Sequence, residues 1–185
     1  MEGQSSCASS RDRTCGFSLL ELLVVLVIAA VVAAPATPAL NSLRRQLDLS
    51  AAADTLLEHL NRARSHAVTG GRRVTLCPLD AGGCGGAGHW SQGWMAFEDH
   101  DADGARDSAE PVLVRHRNDP DRIAVAVRKT GARLYYRPTG YGWPAGTFRF
   151  CAARGGTTGH AVIVALNGRA RRAGEGDPPV DCALP

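Results

Sequence analysis

An α+β architecture, with one long N-terminal helix laid on an antiparallel β-sheet, follows from three features of this 185-residue chain. A run of apolar residues from Phe17 to Ala34 carries a single charge, Glu21. Apolar positions then recur at helical spacing up to the pair Gly70-Gly71. Beyond that pair every candidate element has the composition and period of a strand. A helix followed only by strands buries its apolar stripe on one face of a sheet.

Taken in order, the apolar run has eighteen residues, and at ~1.5 Å per residue its helix covers roughly 27 Å, close to the hydrocarbon core of a bilayer. It is therefore expected to cross a membrane. Arg11 and Arg13 precede it, which favours a cytoplasmic N-terminal end and a periplasmic remainder. An ordinary secretory signal fits poorly, because proline follows the small residues where cleavage would fall, at Ala33-Ala34-Pro35 and Ala36-Thr37-Pro38. Leu40, Leu43, Leu47, Leu56, Leu57, Leu60, Ala63 and Ala67 continue as an amphipathic helix to about Thr69, and glycine ends it. Strands are expected at Val74–Cys77, Trp94–Glu98, Val112–His116, Ile123–Val127, Leu134–Arg137, Thr147–Phe150 and Ala161–Leu166, each bounded by Gly, Pro, Asn or Asp. The glycine-rich stretch 81–88 is expected to be a surface loop.

A carboxylate within a membrane span costs about 2.5–3.5 kcal/mol on the insertion scale and asks for a cationic partner. The run contains none. Scission between Gly16 and Phe17 would create one, the α-amino group of Phe17, supplied to Glu21 by a neighbouring copy or relative. Gly16, Phe17, Glu21 and the apolar run resemble the class III signal of type IV pilins and type II secretion pseudopilins. That resemblance implies cleavage after Gly16 by a membrane-embedded prepilin peptidase, N-methylation of Phe17, and Glu21 guiding assembly with other pilins or pseudopilins. Pro38 falls where pilins usually kink. The chain then divides into a leader (1–16), a transmembrane and assembly helix (17–38), an amphipathic helix (39–70) and a β-rich periplasmic head (71–185).

The segment Ala63-Arg64-Ser65-His66-Ala67 before Val74–Cys77, the Trp90-x-x-Gly93-Trp94 pair, the Asp-rich loop and Asn167-Gly168-Arg169 are similar to the GspH/FimT family of that superfamily. Its members are minor pilins of type IV pili or pseudopilins of type II secretion, held in the inner membrane until assembled. Some bind DNA for natural transformation.

Six cysteines occur, two of them (Cys7 and Cys15) in the leader. The remaining Cys77, Cys84, Cys151 and Cys182 are an even set in an oxidising compartment, so two disulfides are expected. Of three pairings, Cys77–Cys84 with Cys151–Cys182 is favoured, since one brackets a short glycine-rich loop and the other the C-terminal region. A metal site from Cys77, Cys84 and His89 matches no zinc ligand spacing.

Asp99-His100-Asp101-Ala102-Asp103-Gly104 with Glu110 in twelfth place satisfies the ligand spacing of an EF-hand loop, a possible Ca²⁺ site. Its flanks read as strands, so a plain hairpin loop is the competing expectation and no cofactor is required. Charge is uneven: the chain is +3 overall, yet residues 115–172 carry eleven Arg and Lys129 against Asp119 and Asp121. That basic half suits a polyanion. Gly168-Arg169-Ala170-Arg171 matches the Gly-Arg-x-Arg element in the C-terminal tail of DNA-binding FimT proteins, and Arg172 extends it. The resemblance implies non-specific DNA contact by Arg169, Arg171 and Arg172 from a mobile tail. The competing reading is a pseudopilin whose arginines contact subunits. Tyr135, Tyr136, Tyr141 and Trp143 are stacking candidates or sheet packing. The six histidines form no H-E-x-x-H pair, and no G-x-S-x-G element or P-loop is present, so no catalytic residue is nominated.

Overall fold

The computed structural model describes residues 18–33, 36–81, 83–154 and 159–182. The chain divides into two compact units, Met1–Asn41 and Ser42–Pro185. Gly16 and Phe17 lie outside the described residues.

In the first unit, α1 spans Leu19–Ala33 and is apolar apart from Glu21, with its leucines and valines up to Val31 exposed. Among the described residues no helix is long and apolar enough to cross a membrane. The eighteen-residue run that suggested a span includes Phe17 and Ala34, which are not described. The second helix, α2, spans Ala36–Gly70. Pro38, where a kink was expected, falls near the start of α2, and residues 34 and 35 lie outside the described residues.

In the second unit the buried stripe of α2 is Leu49, Ala52, Leu56, Leu60, Ala63 and Ala67, three or four residues apart, with Ala53 beside it. Leu40, Leu43 and Leu47, expected in the same stripe, are 57%, 52% and 60% exposed. Glycine ends the helix as expected: Gly71 takes the left-handed conformation at φ +63°, which suits a residue without a Cβ.

Among the described residues ten strands follow, forming two antiparallel sheets where one was expected. The first has the order β4-β3-β1-β6-β7, built from β1 (Val74–Asp80), β3 (Gly93–Glu98), β4 (Val112–Arg117), β6 (Leu134–Tyr136) and β7 (Gly142–Trp143), with β2 (Gly83–Cys84) paired to β1. The second runs β10-β9-β8-β5, from β5 (Ile123–Arg128), β8 (Gly146–Ala152), β9 (His160–Val164) and β10 (Ala170–Arg172). All seven expected strands are present; β2, β7 and β10 are additions of two or three residues. The stretch read as a plain loop contains β2 and the start of a 3₁₀ turn, Ala87–Gln92.

Period-two alternation explains the layering. Val74 and Leu76 join the core under α2 with Trp94, Phe148, Phe150 and Val162, while Cys77 and Leu79 face the other way with Met95 and Phe97. Trp90, on the 3₁₀ turn, is fully buried, donates from Nε1 to the Gly131 carbonyl at 2.9 Å, and meets Phe148 of the second sheet edge to face at 4.9 Å. Disulfides join Cys77 to Cys84 and Cys151 to Cys182, as favoured from sequence. In the chain-entropy view loops of these sizes stabilise by roughly 2.5–4 kcal/mol each.

Candidate functional site

Glu21 lies in the first turn of α1, between exposed Leu20 and Leu22. Among the described residues it makes no ion pair. A helix N-terminus tolerates an acid there because the unpaired N–H groups of the first turn are partly positive. The helix offers a carboxylate at its start and an unbroken apolar surface beyond it, a surface with chemistry for partner helices and for nothing catalytic.

The arginine-rich segment differs from the expected mobile tail. Ala170–Arg172 is β10, and its ladder to Val162, Ile163 and Val164 gives alternate residues opposite directions. Arg172 sends Nη1 to α2, onto Asp54 Oδ1 at 2.6 Å and Ser50 Oγ at 3.1 Å. Arg171 grips both carboxylate oxygens of Asp177, at 2.6 and 2.8 Å. That fork holds the Asp177 carboxyl well below the usual carboxylate range, helped by the Gly174 N–H. Among the described residues only the Arg169 guanidinium of the three has no ion pair. The Gly-Arg-x-Arg spacing is thus present, but β-pairing turns Arg171 and the adjoining Arg172 to opposite faces.

Beside this strand the sequence left a feature unassigned. Arg64 of α2 donates Nε to the Gly140 carbonyl at 2.9 Å and Nη2 to the Asn167 carbonyl at 3.1 Å, drawing two turns together. Gly168, at φ +77°, sits so close to Gly140 that a Cβ would lie 2.0 Å from its carbonyl oxygen. The glycine in each turn was the only sequence signal for this contact. Between them Tyr135, Arg137, Tyr141, Trp143 and Leu166 line a groove. Tyr135 and Trp143 are cross-strand partners, so they share the outer face of β6–β7, while Tyr136 and Gly142 point inward and are buried. Tyr141 and Trp143 are 58% and 54% exposed. Packing in the sheet therefore accounts for Tyr136 alone among these four aromatics.

The Asp-rich loop connects β3 to β4. One carboxylate oxygen from each of Asp99, Asp101 and Asp103 falls within 4.8 Å of the others. Glu110 is buried and stands apart in role: its oxygens accept the His100 N–H at 2.7 Å and the Asp107 N–H at 2.9 Å, closing the loop. His89, once weighed with Cys77 and Cys84, cannot share a metal with them, because both thiols are consumed in a disulfide.

His59 of α2 accepts the Trp94 indole N–H on Nδ1 at 3.0 Å. Burial, reinforced by His116 nearby, lowers its pKa; burial and Arg172 do the same for His160. Both take up a proton less readily when folded than in the unfolded chain, which does so near pH 6.5. Stability from these sites is therefore complete above about pH 6.5 and declines as pH falls below it. Thermal melts should drop from pH 7 to pH 5, and less steeply in His59→Gln; identical slopes would count against the His59 contribution. Loss from Asp177 enters only at lower pH.

A helix resting on antiparallel strands, preceded in the chain by an apolar helix with one acid in its first turn, is how subunits of the pilin and pseudopilin class are built. Residues 52–168 match the family model for the type II transport protein GspH, and residues 11–37 match the prokaryotic N-terminal methylation motif. The chain belongs to the GspH family: it is a structural filament subunit, a minor pilin or pseudopilin, and not an enzyme. No curated protein matches it. Among solved structures it is similar to the type IV minor pilin FimU of Pseudomonas aeruginosa in two crystal forms. One is 20% identical at TM-score 0.56, covering 72% of this chain and 99% of that one. The other is 22% identical at 0.57, covering 72% and 94%. It is also similar to the minor pseudopilin EpsH of the Vibrio cholerae type 2 secretion system, 10% identical at 0.53, covering 71% and 99%.

Proposed function

We propose that this chain is a minor subunit of a type IV pilus, held by its N-terminal helix in the inner membrane with the head in the periplasm, and cut after Gly16 by prepilin peptidase. On assembly the helix leaves lipid for a bundle of neighbouring helices, where Glu21 pairs with the methylated amine of an adjacent Phe17. The observation that carries this reading is Glu21 itself, one acid on an otherwise apolar helix that is exposed from Leu19 to Val31. Leu40, Leu43 and Leu47 of α2 are exposed as well and offer further apolar positions to a partner. In the alternative, a type II secretion pseudopilus, the helix plays the same part. Deleting the gene separates the two: lost surface fibres with normal protein export favour the pilus, and blocked export with normal fibres overturns it.

Capture of DNA is the second part of the reading. Its support is the basic half of the chain together with the aromatic groove, where Arg137 and the exposed faces of Tyr141 and Trp143 adjoin the turn carrying Arg169. Single strands bind such surfaces by stacking and by phosphate contact, without sequence preference. In mobility shifts Arg169→Ala and Arg137→Ala should each reduce the salt slope by about one unit, and Trp143→Ala should cost about 1–3 kcal/mol on single strands while sparing the slope. Arg171→Ala and Arg172→Ala should matter less, being engaged with Asp177 and Asp54. No retardation of DNA by the parent at low salt would remove this role.

A further inference from the structure

The geometry points to a Ca²⁺ site in the β3–β4 loop, held by Asp99, Asp101 and Asp103. Two separate observations meet there. The first is the cluster itself, three carboxylate oxygens within 4.8 Å of one another. The second is an atom the protein leaves bare. Asp99 is 1% exposed; its Oδ2 takes the Thr75 hydroxyl and, at 3.0 Å, the Arg73 Nε. Its Oδ1 is buried and bonds nothing among the described residues. A buried carboxylate oxygen without a donor is costly and rare in folded proteins. A cation shared with Asp101 and Asp103 would satisfy it.

The backbone is already set for such a ligand. Asp101 accepts the Asp103 N–H and Asp103 accepts the Ala105 N–H, each through one oxygen, Oδ1. Gly104 has φ +76° at the sixth position, where Ca²⁺ loops turn sharply. Arg73 donates to the Ala102 carbonyl at 2.9 Å and Arg133 to the Gly104 carbonyl at 2.6 Å, so the loop's shape does not depend on the ion.

Glu110 marks the difference from an EF-hand. The twelfth residue there grips the ion with both oxygens; here both are spent on the N–H groups of His100 and Asp107. Arg73 also opposes a cation from the Oδ2 side. A site of three carboxylates completed by water, with a guanidinium beside it, belongs among weak extracellular modules, with Kd about 10⁻⁴–10⁻³ M. Magnesium, which demands octahedral geometry and sheds water reluctantly, should bind much less well.

The full chain in detergent, titrated with CaCl₂ by calorimetry and melted with and without about 10 mM CaCl₂, tests the site. Saturable heat in that Kd range and a melting rise of about 3–11 °C are expected. The Asp101→Asn/Asp103→Asn variant changes only exposed side chains; it should melt like the parent without Ca²⁺ and bind at least about ten-fold more weakly. No heat or melting shift in the parent would overturn the assignment. So would equal binding by the variant, or an equal response to MgCl₂.

Discussion

Glu21→Ala should still reach the membrane but disappear from filaments, with incorporation reduced at least about ten-fold relative to the parent. Removing the carboxylate eases insertion, since a charged acid in a span costs about 2.5–3.5 kcal/mol. The same change removes the only group on α1 that can attract a neighbour's α-amine. Membrane fractions and sheared filaments, probed side by side, separate the two effects. Glu21→Gln keeps the shape and loses the charge, so it should fail as the alanine variant does. Normal incorporation of either would mean that apolar contact alone drives assembly.

Trp90→Ala should be the most damaging substitution within the head, at about 3–5 kcal/mol. The indole fills core between the two sheets, stands edge to face against Phe148, and satisfies the Gly131 carbonyl. Its loss removes a large buried volume and leaves that carbonyl short of its donor. A melting temperature lower by roughly 6–20 °C is expected for a chain of this length. Trp90→Phe, which keeps one aromatic ring against Phe148 but loses the N–H and part of the indole volume, should recover part of it. A melt unchanged in the alanine variant would show that the sheets are held together elsewhere.

Period and punctuation made much of this fold legible. The seven expected strands were readable because each couples β-branched or aromatic residues to flanking Gly, Pro, Asn or Asp. β2 and β7 were not, because two residues cannot display a period, and β10 was not, because its composition carries no strand signal. β10 in particular is Ala-Arg-Arg, a composition that reads as solvated chain; only its pairing with β9 makes it a strand. That pairing also sends Arg171 and Arg172 to opposite sides, which spacing in a linear motif cannot reveal. The division into two sheets escaped for a related reason, since alternation shows which residues face inward but not which strands become neighbours. The helical stripe was misplaced at one end: Leu40, Leu43 and Leu47 have helical spacing among themselves, but at ~100° per residue they fall on the opposite face of the helix from Leu49, Leu56 and Leu60, so spacing alone merged two stripes.

The Asp-rich loop shows the reverse case. Sequence spacing grouped Asp99, Asp101, Asp103 and Glu110 as equivalent ligands. Burial and hydrogen bonding divide them into three acids sharing one locus and one that braces the backbone.

The intact mass of subunits sheared from filaments tests the central claim most directly. A chain that starts at N-methylated Phe17 is the expected result, because only scission after Gly16 provides the amine to which Glu21 can pair. A filament-borne chain that still carries residues upstream of Gly16 would contradict it.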